Sequence, residues 1–300
     1  FFCYLLAGCL RRDTNTGRAL AVARLGLVVV GTFGACWLPF LRSPSDALAV
    51  LRRVFPVERS LFEDKVANLW CTLSLVPGLK LKAKLSVTAL LRLTLATTLC
   101  ALLPPCLLLL RRPSRLGFAL CATACGLAFF LCSYQVHEKH ILLPLLPACL
   151  VAPRHPLLFG WLAAAAAFSL YPLLKRDGQA LPYAVLQAAH LAGSVYLQHA
   201  TSYRWPLAAR LAFAASIAGM LALHAAEASL PPPSRYPDLH SVAFAAYSCA
   251  HFAAAYVAVL YSQWRACATE PTHTPLDAPA ADGGTPILVE PMGAAHGKVE

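Results

Sequence analysis

An all-α, polytopic bundle of transmembrane helices is the fold this chain predicts, and three observations predict it. Charged residues make up 13% of the 300 residues while the hydrophobic set reaches 58%, against a charged share of about 25% in soluble domains. The apolar residues gather in runs close to the length of about 20 residues that a helix needs to cross a hydrocarbon core about 30 Å thick. The 25 Lys and Arg outnumber 14 Asp and Glu, for a formal charge of +11, and they punctuate those runs instead of forming one patch. That placement reads as anchoring of helix ends in a lipid bilayer, and no nucleic-acid partner is needed to explain the charge.

The elements follow in order. Residues 1–10 read as the end of a crossing begun upstream, since the chain opens Phe-Phe-Cys-Tyr in mid-apolar segment and meets Arg11-Arg12. A full crossing is expected over 19–41. Between 42 and 84 lies the one long hydrophilic interruption, within which 66–79 is apolar enough for a short helix lying on the membrane. Crossings are then expected over 85–110 and 116–136. The piece 141–152 contains only twelve residues and is broken by Pro144 and Pro147, about 18 Å of helix, so a kinked crossing and a re-entrant half-helix stay open. Residues 157–174 reach the lower limit for a span, and 181–200, 206–227 and 239–263 are clear ones. Together 1–268 form the expected bundle. From Thr269 the sequence turns Pro-, Ala-, Gly- and Thr-rich without periodicity, a disordered tail over 269–300.

If 66–79 does not cross, Arg11, Arg12, Arg18, Arg111, Arg112, Arg115, Arg154, Arg204 and Arg265 share one side, nine bases against Lys139, Lys175, Arg176 and Arg235 in the opposite short loops. The long loop adds eight more bases to the second side, so the charge count leans without deciding orientation. Most of the twelve cysteines lie inside apolar stretches and no Cys-x-x-Cys pair occurs, which predicts buried thiols and no metal site. Single polar residues within spans, His190, His224, Glu227 and His251, read as hydrogen-bonding groups between helices. Arg92, about two turns into its span, is expected to face the bundle interior or a lipid phosphate.

Two clusters could carry chemistry. Residues 133–142 read Ser-Tyr-Gln-Val-His-Glu-Lys-His-Ile-Leu, four ionisable side chains between apolar runs, a functional candidate where an interfacial turn is the plain alternative. There His137 can donate to an anionic oxygen, Lys139 can pair a phosphate, and Glu138 can orient either. Residues 53–70 hold Glu58, Arg59, Glu63, Asp64, Lys65, Asn68 and Trp70. Such carboxylates, bases and amide suit sugar hydroxyls, with Trp70 or Phe62 stacking on a pyranose; a solvated loop with a local Glu63–Lys65 pair is the alternative. Glu63 and Asp64 are adjacent, which does not make an acid/base pair facing one another on a helix.

These clusters resemble a known family. Leu51 to Cys71, with Phe62-Glu-Asp-Lys-Val-Ala-Asn68 at its centre, and Val136-His-Glu-Lys-His-Ile-Leu142 resemble signatures of the dolichyl-phosphate-glucose-dependent glucosyltransferases of the endoplasmic reticulum. The 62–68 version and Pro231-Pro-Pro-Ser-Arg-Tyr-Pro-Asp238 are similar to the branch that adds the first glucose rather than the second. The resemblance runs from about residue 20 to 265.

It implies a GT-C-type membrane enzyme with dolichyl phosphate glucose as donor and the dolichyl-diphosphate-linked Man9GlcNAc2 oligosaccharide as acceptor. Transfer would invert the donor to an α-1,3 linkage without metal or other cofactor. A carboxylate in the first lumenal loop, upstream of residue 1, would be the base. The two clusters would wall the site on the lumenal side of the endoplasmic reticulum membrane, loop 42–84 included. His137 and Lys139 would contact the donor phosphate, and His140 would stand at a variable position. A non-catalytic transporter or lipid-handling protein is the competing class. It would have a polar path through the bundle, where the enzyme would bring both clusters to one membrane face.

Overall fold

A computed structural model describes residues 1–54, 65–75, 79, 81–200, 206–269 and 272. Glu58, Arg59, Glu63 and Asp64 fall outside these residues, as does the tail from 270 apart from Thr272. The regular structure of the described residues is helical, with no strand among them.

The helices are α1 (Phe2–Leu10), α2 (Asn15–Trp37), α3 (Pro44–Val54), α4 (Leu69–Leu73), α5 (Leu81–Lys84), α6 (Val87–Arg111), α7 (Arg115–Cys132), α8 (Leu142–Val151), α9 (Pro156–Ser169), α10 (Tyr171–Arg176), α11 (Ala180–Ala200), α12 (Leu207–Ser229) and α13 (Leu239–Thr269). Local chemistry sets several starts. Thr14, Ser86 and Ser114 each accept a hydrogen bond from the backbone N–H three residues on, satisfying donors that a helix leaves open at its first turn. Among the described residues five helices are long and apolar enough to cross a membrane: α2 with its 3-10 extension to Phe40, α6, α7, α12 and α13.

α7 is the hub. Eleven of its 18 residues are buried, and it packs on α6, α8 and α13. Gly126 permits the α8 contact, because a Cβ there would stand 2.9 Å from Cα of Pro144. α2 is the opposite case. It buries no residue in this bundle, and Leu27, Val28, Val30 and Phe33 are 64–74% exposed.

Pro104 and Pro105 lie inside α6. A proline gives no N–H to the carbonyl four residues earlier, so Pro105 leaves that of Ala101 open. The Tyr256 hydroxyl of α13 donates to this carbonyl at 2.6 Å. One turn further along α6, the Gln263 side-chain amide donates from Nε2 to the Pro105 carbonyl at 2.8 Å. The intraspan histidines bridge helices as expected: His190 to the Gly160 carbonyl at 2.9 Å, His224 to the Tyr183 hydroxyl at 3.0 Å, and His251 to the Ser216 hydroxyl at 2.7 Å.

The bundle has two distinct ends. At one, Arg11 donates to the Arg111 carbonyl at 2.7 Å and Arg112 to the Cys267 carbonyl at 3.2 Å. At the other, the C-terminus of α7, the N-termini of α6 and α13, and α10 come together. Lys65 and Leu90 are both at this second end. α8 and α9 form a hairpin whose outer ends, at Glu138 and Ser169, line one cavity there. The ten residues of α8 reach about 15 Å, half a hydrocarbon core.

Three expectations need correction. The span 157–174 is two helices, α9 and α10, divided at Leu170 just before Pro172, which gives no N–H to the Phe168 carbonyl and whose ring crowds it. The span 116–136 ends at Cys132 with Ser133 extended, and α13 continues six residues beyond 263. The thiols are not uniformly buried: Cys36, Cys100 and Cys149 are exposed on the bundle surface, while Cys9, Cys121, Cys132, Cys249 and Cys267 are interior.

Candidate active site

The site is built where three segments meet. Trp70, 3% exposed, donates its indole N–H to the Cys132 carbonyl at 2.8 Å. That carbonyl is at the last turn of α7, where intrahelical donors have run out. Val66 and Ala67 are buried in the same apolar cluster as Leu131, Cys132 and Ile141. The long-loop signature is thereby fastened to the start of the 133–142 signature. Lys65 then pairs with Asp238 at 2.6 Å, drawing the Pro-rich 231–238 loop to the same place.

A cavity of about 280 Å³ opens at this junction, lined by Lys65, Glu138, Ser169, Pro172, Arg176 and Ser241 among others. A second, of about 370 Å³, adjoins it through Pro172, Arg176 and Ser241 and adds Tyr171, Lys175, Glu227, His240 and Phe244. Glu227 pairs with Lys175 and accepts from the Tyr171 hydroxyl at 3.4 Å. The Glu227 carboxylate, chiefly by accepting a hydrogen bond from Lys175, holds Lys175 above the ordinary lysine range. Burial, reinforced by Glu227, raises the Tyr171 phenol. Polar hydrogen-bonding groups on aromatic walls are the composition of a sugar-binding surface.

The 133–142 signature divides its side chains by function. Ile141 is fully buried and pins a 3-10 turn, Glu138–Ile141, to the bundle. Glu138 lines the cavity, whereas His137 and Lys139 are exposed at the surface. His140 Nδ1 accepts from the His137 backbone N–H at 3.2 Å. Burial first, and the neighbouring His137 second, lower the pKa of His140, so its neutral, accepting form is favoured. His140 therefore shapes the turn.

Two expected sugar contacts are placed otherwise. Trp70 is an interior strut packed with Leu90, and its ring has no open face for a pyranose. Asn68, 3% exposed, caps α4 by accepting from the Cys71 N–H at 2.9 Å. Lys65 pairs with Asp238; Glu63 and Phe62 lie outside the described residues. Arg176, Asp238, Ser241 and Glu227 were not singled out by sequence as site residues. The charge pair Lys175-Arg176 before Asp177-Gly178 was visible, but only the α8–α9 hairpin carries it to Glu138.

Among the described residues, the one group able to hold a metal is Cys106, Cys121 and Cys125, whose sulfurs lie within 4.8 Å of one another. They sit between α6 and α7, apart from the cavity.

Comparison with known proteins gives the chain's family. The ALG6, ALG8 glycosyltransferase family matches residues 1–258. The dolichyl pyrophosphate Man9GlcNAc2 alpha-1,3-glucosyltransferase of Gallus gallus is 39% identical over 275 residues, covering 84% of this chain and 54% of its own length. That of Rattus norvegicus is 37% identical over 283 residues, with the same coverage of both chains. A probable enzyme of the same description in Drosophila melanogaster is 39% identical over 259 residues, covering 84% of this chain and 53% of its own. The chain thus spans about half the length of the curated relatives it matches. A helical membrane protein with these signatures and relatives belongs to the ALG6, ALG8 glycosyltransferase family.

Proposed function

We propose that the full-length protein transfers glucose from dolichyl phosphate glucose to the dolichyl-diphosphate-linked Man9GlcNAc2 oligosaccharide, forming an α-1,3 linkage with inversion. The supporting observation is that Lys65 and Glu138, one from each of two signature segments, line one cavity at one end of the bundle, with Asp238 of the third segment paired to Lys65. That end would face the lumen of the endoplasmic reticulum, and the Arg11–Arg111–Arg112 end the cytosol. Residues 1–268 form the bundle and 269–300 the tail.

The reaction asks for three things. An acceptor hydroxyl must reach the anomeric carbon opposite the departing phosphate, its proton must go to a carboxylate, and charge growing on the phosphate must be stabilised. The cavity with Glu138, Lys65 and Ser241 takes the acceptor's sugar hydroxyls. His137 and Lys139, beside it at the surface, contact the donor phosphate. The base comes from the first lumenal loop of the family rather than from Glu138. Glu58, Arg59, Glu63 and Asp64, outside the described residues, are assigned to substrate binding by their place in the same signature, which Asn68 and Trp70 help to fasten.

The test is glucose transfer to the Man9GlcNAc2 lipid by full-length protein carrying His137→Ala. Loss of about 100-fold or more in turnover, with normal membrane insertion, is the expected result for a residue acting on the leaving phosphate. Unchanged turnover removes His137 from the site.

A further inference from the structure

We propose that Cys3, Cys106, Cys121 and Cys125 form a thiolate site for a zinc ion, which ties α1, α6 and α7 together near the arginine end of the bundle. Cys3 belongs to α1, Cys106 to α6, and Cys121 and Cys125 to α7. The sulfurs of Cys106, Cys121 and Cys125 lie within 4.8 Å of one another. Cys125 Sγ is 3.9 Å from Cys106 Sγ and 3.9 Å from Cys121 Sγ. The Cys3 thiol shares a hydrogen bond with Cys106, so three helices bring sulfur to one place.

Zinc–sulfur bonds of about 2.3 Å in a tetrahedron set the sulfurs about 3.8 Å apart. The two spacings of 3.9 Å already match that edge. Cys121 and Cys125 are four residues apart on α7, the spacing that puts two ligands on one helix face. Cys106 meets them from α6, which packs on α7, and α1 packs on α6. No Cys-x-x-Cys pair announces the site, because its ligands come from three helices. Among the described residues the group contains no histidine and no carboxylate, and an all-sulfur set selects soft ions over magnesium, calcium or manganese. Zinc leaves less negative charge on four thiolates than copper(I) would, which counts where charge is costly. Four sulfurs leave no open position, so the ion's role is structural.

This part of α6 has a mechanical reason to be braced. Cys106 follows Pro104 and Pro105, each of which removes a backbone hydrogen bond from the helix. Tyr256 and Gln263 of α13 support the break at the carbonyls of Ala101 and Pro105. A metal bridge from Cys106 to α7 and α1 supports it from another side. Cys106 is five residues before Arg111 and Cys121 six after Arg115, about 7.5 and 9 Å along their helices. Arg11, Arg111, Arg112 and Arg115 at this end counter the negative charge of a zinc–thiolate group. Each thiol gives its proton to water as the ion enters. With this end in the cytosol, as proposed above, the thiols stay reduced and open to metal; the sulfur geometry itself does not depend on that orientation.

The experiment measures zinc in full-length protein purified under reductant, by elemental mass spectrometry and by competition with a chromophoric chelator. About one zinc per chain is expected. Cys3→Ser, Cys106→Ser and Cys125→Ser should each weaken zinc binding by about 100-fold or more. Cys249→Ser, an equally buried change outside the group, should keep the metal, which separates loss of a ligand from loss of the fold. Cobalt in place of zinc should give the visible bands and near-ultraviolet charge transfer of a tetrahedral thiolate site. Chelation should lower the thermal unfolding midpoint of wild type and leave that of Cys125→Ser unmoved. Reduced wild type without zinc, wild-type zinc affinity in any of the three ligand variants, or an octahedral cobalt spectrum overturns the proposal. A Cys106–Cys125 disulfide in protein alkylated before isolation also overturns it, since those sulfurs would then be spent on each other.

Discussion

Two arginines stand at the signature end of the bundle in contrasting surroundings. Arg92 meets aliphatic and aromatic walls and no carboxylate among the described lining residues. Arg176 shares its cavities with Lys65, Glu138, Lys175 and Glu227. The first setting is that of a side chain reaching from an apolar groove to the headgroups. The second, with charges of both signs and hydroxyls on aromatic walls, favours a neutral polyhydroxylated ligand. The difference suggests two sides to the 133–142 segment: bilayer on one, sugar on the other.

The largest expected effect comes from loosening the joint between the two sides. Trp70→Phe leaves the Cys132 carbonyl without its side-chain donor. We expect about 1–2 kcal/mol of lost stability, read by thermal unfolding in detergent, together with a fall in kcat. Tyr256→Phe opens the Ala101 carbonyl in α6, away from both cavities. It should cost about 1 kcal/mol and leave both KM values alone, which separates stability from substrate contact.

The smallest effects lie at the surface. Asp238→Asn breaks an exposed pair with Lys65 and should cost under about 1 kcal/mol. The His140 turn should respond to acid. Its folded pKa is lowered, so its contribution is present above the unfolded value of about 6.5 and is lost as pH falls through the folded one. Thermal stability measured from pH 7 to 5 should drop, and His140→Gln should flatten part of that drop. The Lys175–Glu227 pair has the opposite sign. Lys175 is raised, so its contribution is present below about 10.5 and disappears as pH rises beyond.

Hydropathy made the crossings legible because lipid imposes a length and forbids charge, a constraint written along the chain itself. It did not divide 157–174, where one proline decides between a span and two shorter helices. Trp70 and Asn68 show a subtler limit. Both sit in a polar signature and both have the chemistry of sugar contacts, yet folding spends one on a carbonyl at a helix end and the other on a helix cap. Arg176 shows the converse. Its six-residue helix has no motif, and its place beside Glu138 comes from a hairpin that returns α9 to the face where α8 began. Residue types announced the candidates; tertiary packing chose which of them line a cavity.

The proposed contacts, donor phosphate at His137 and acceptor sugar at Glu138, are tested most directly by steady-state glucose transfer with both substrates varied independently, in full-length wild type, His137→Ala and Glu138→Gln. The account predicts that His137→Ala lowers turnover about 100-fold with acceptor KM unchanged, and that Glu138→Gln raises acceptor KM with donor KM unchanged. Both variants raising acceptor KM, or neither changing transfer, would contradict it.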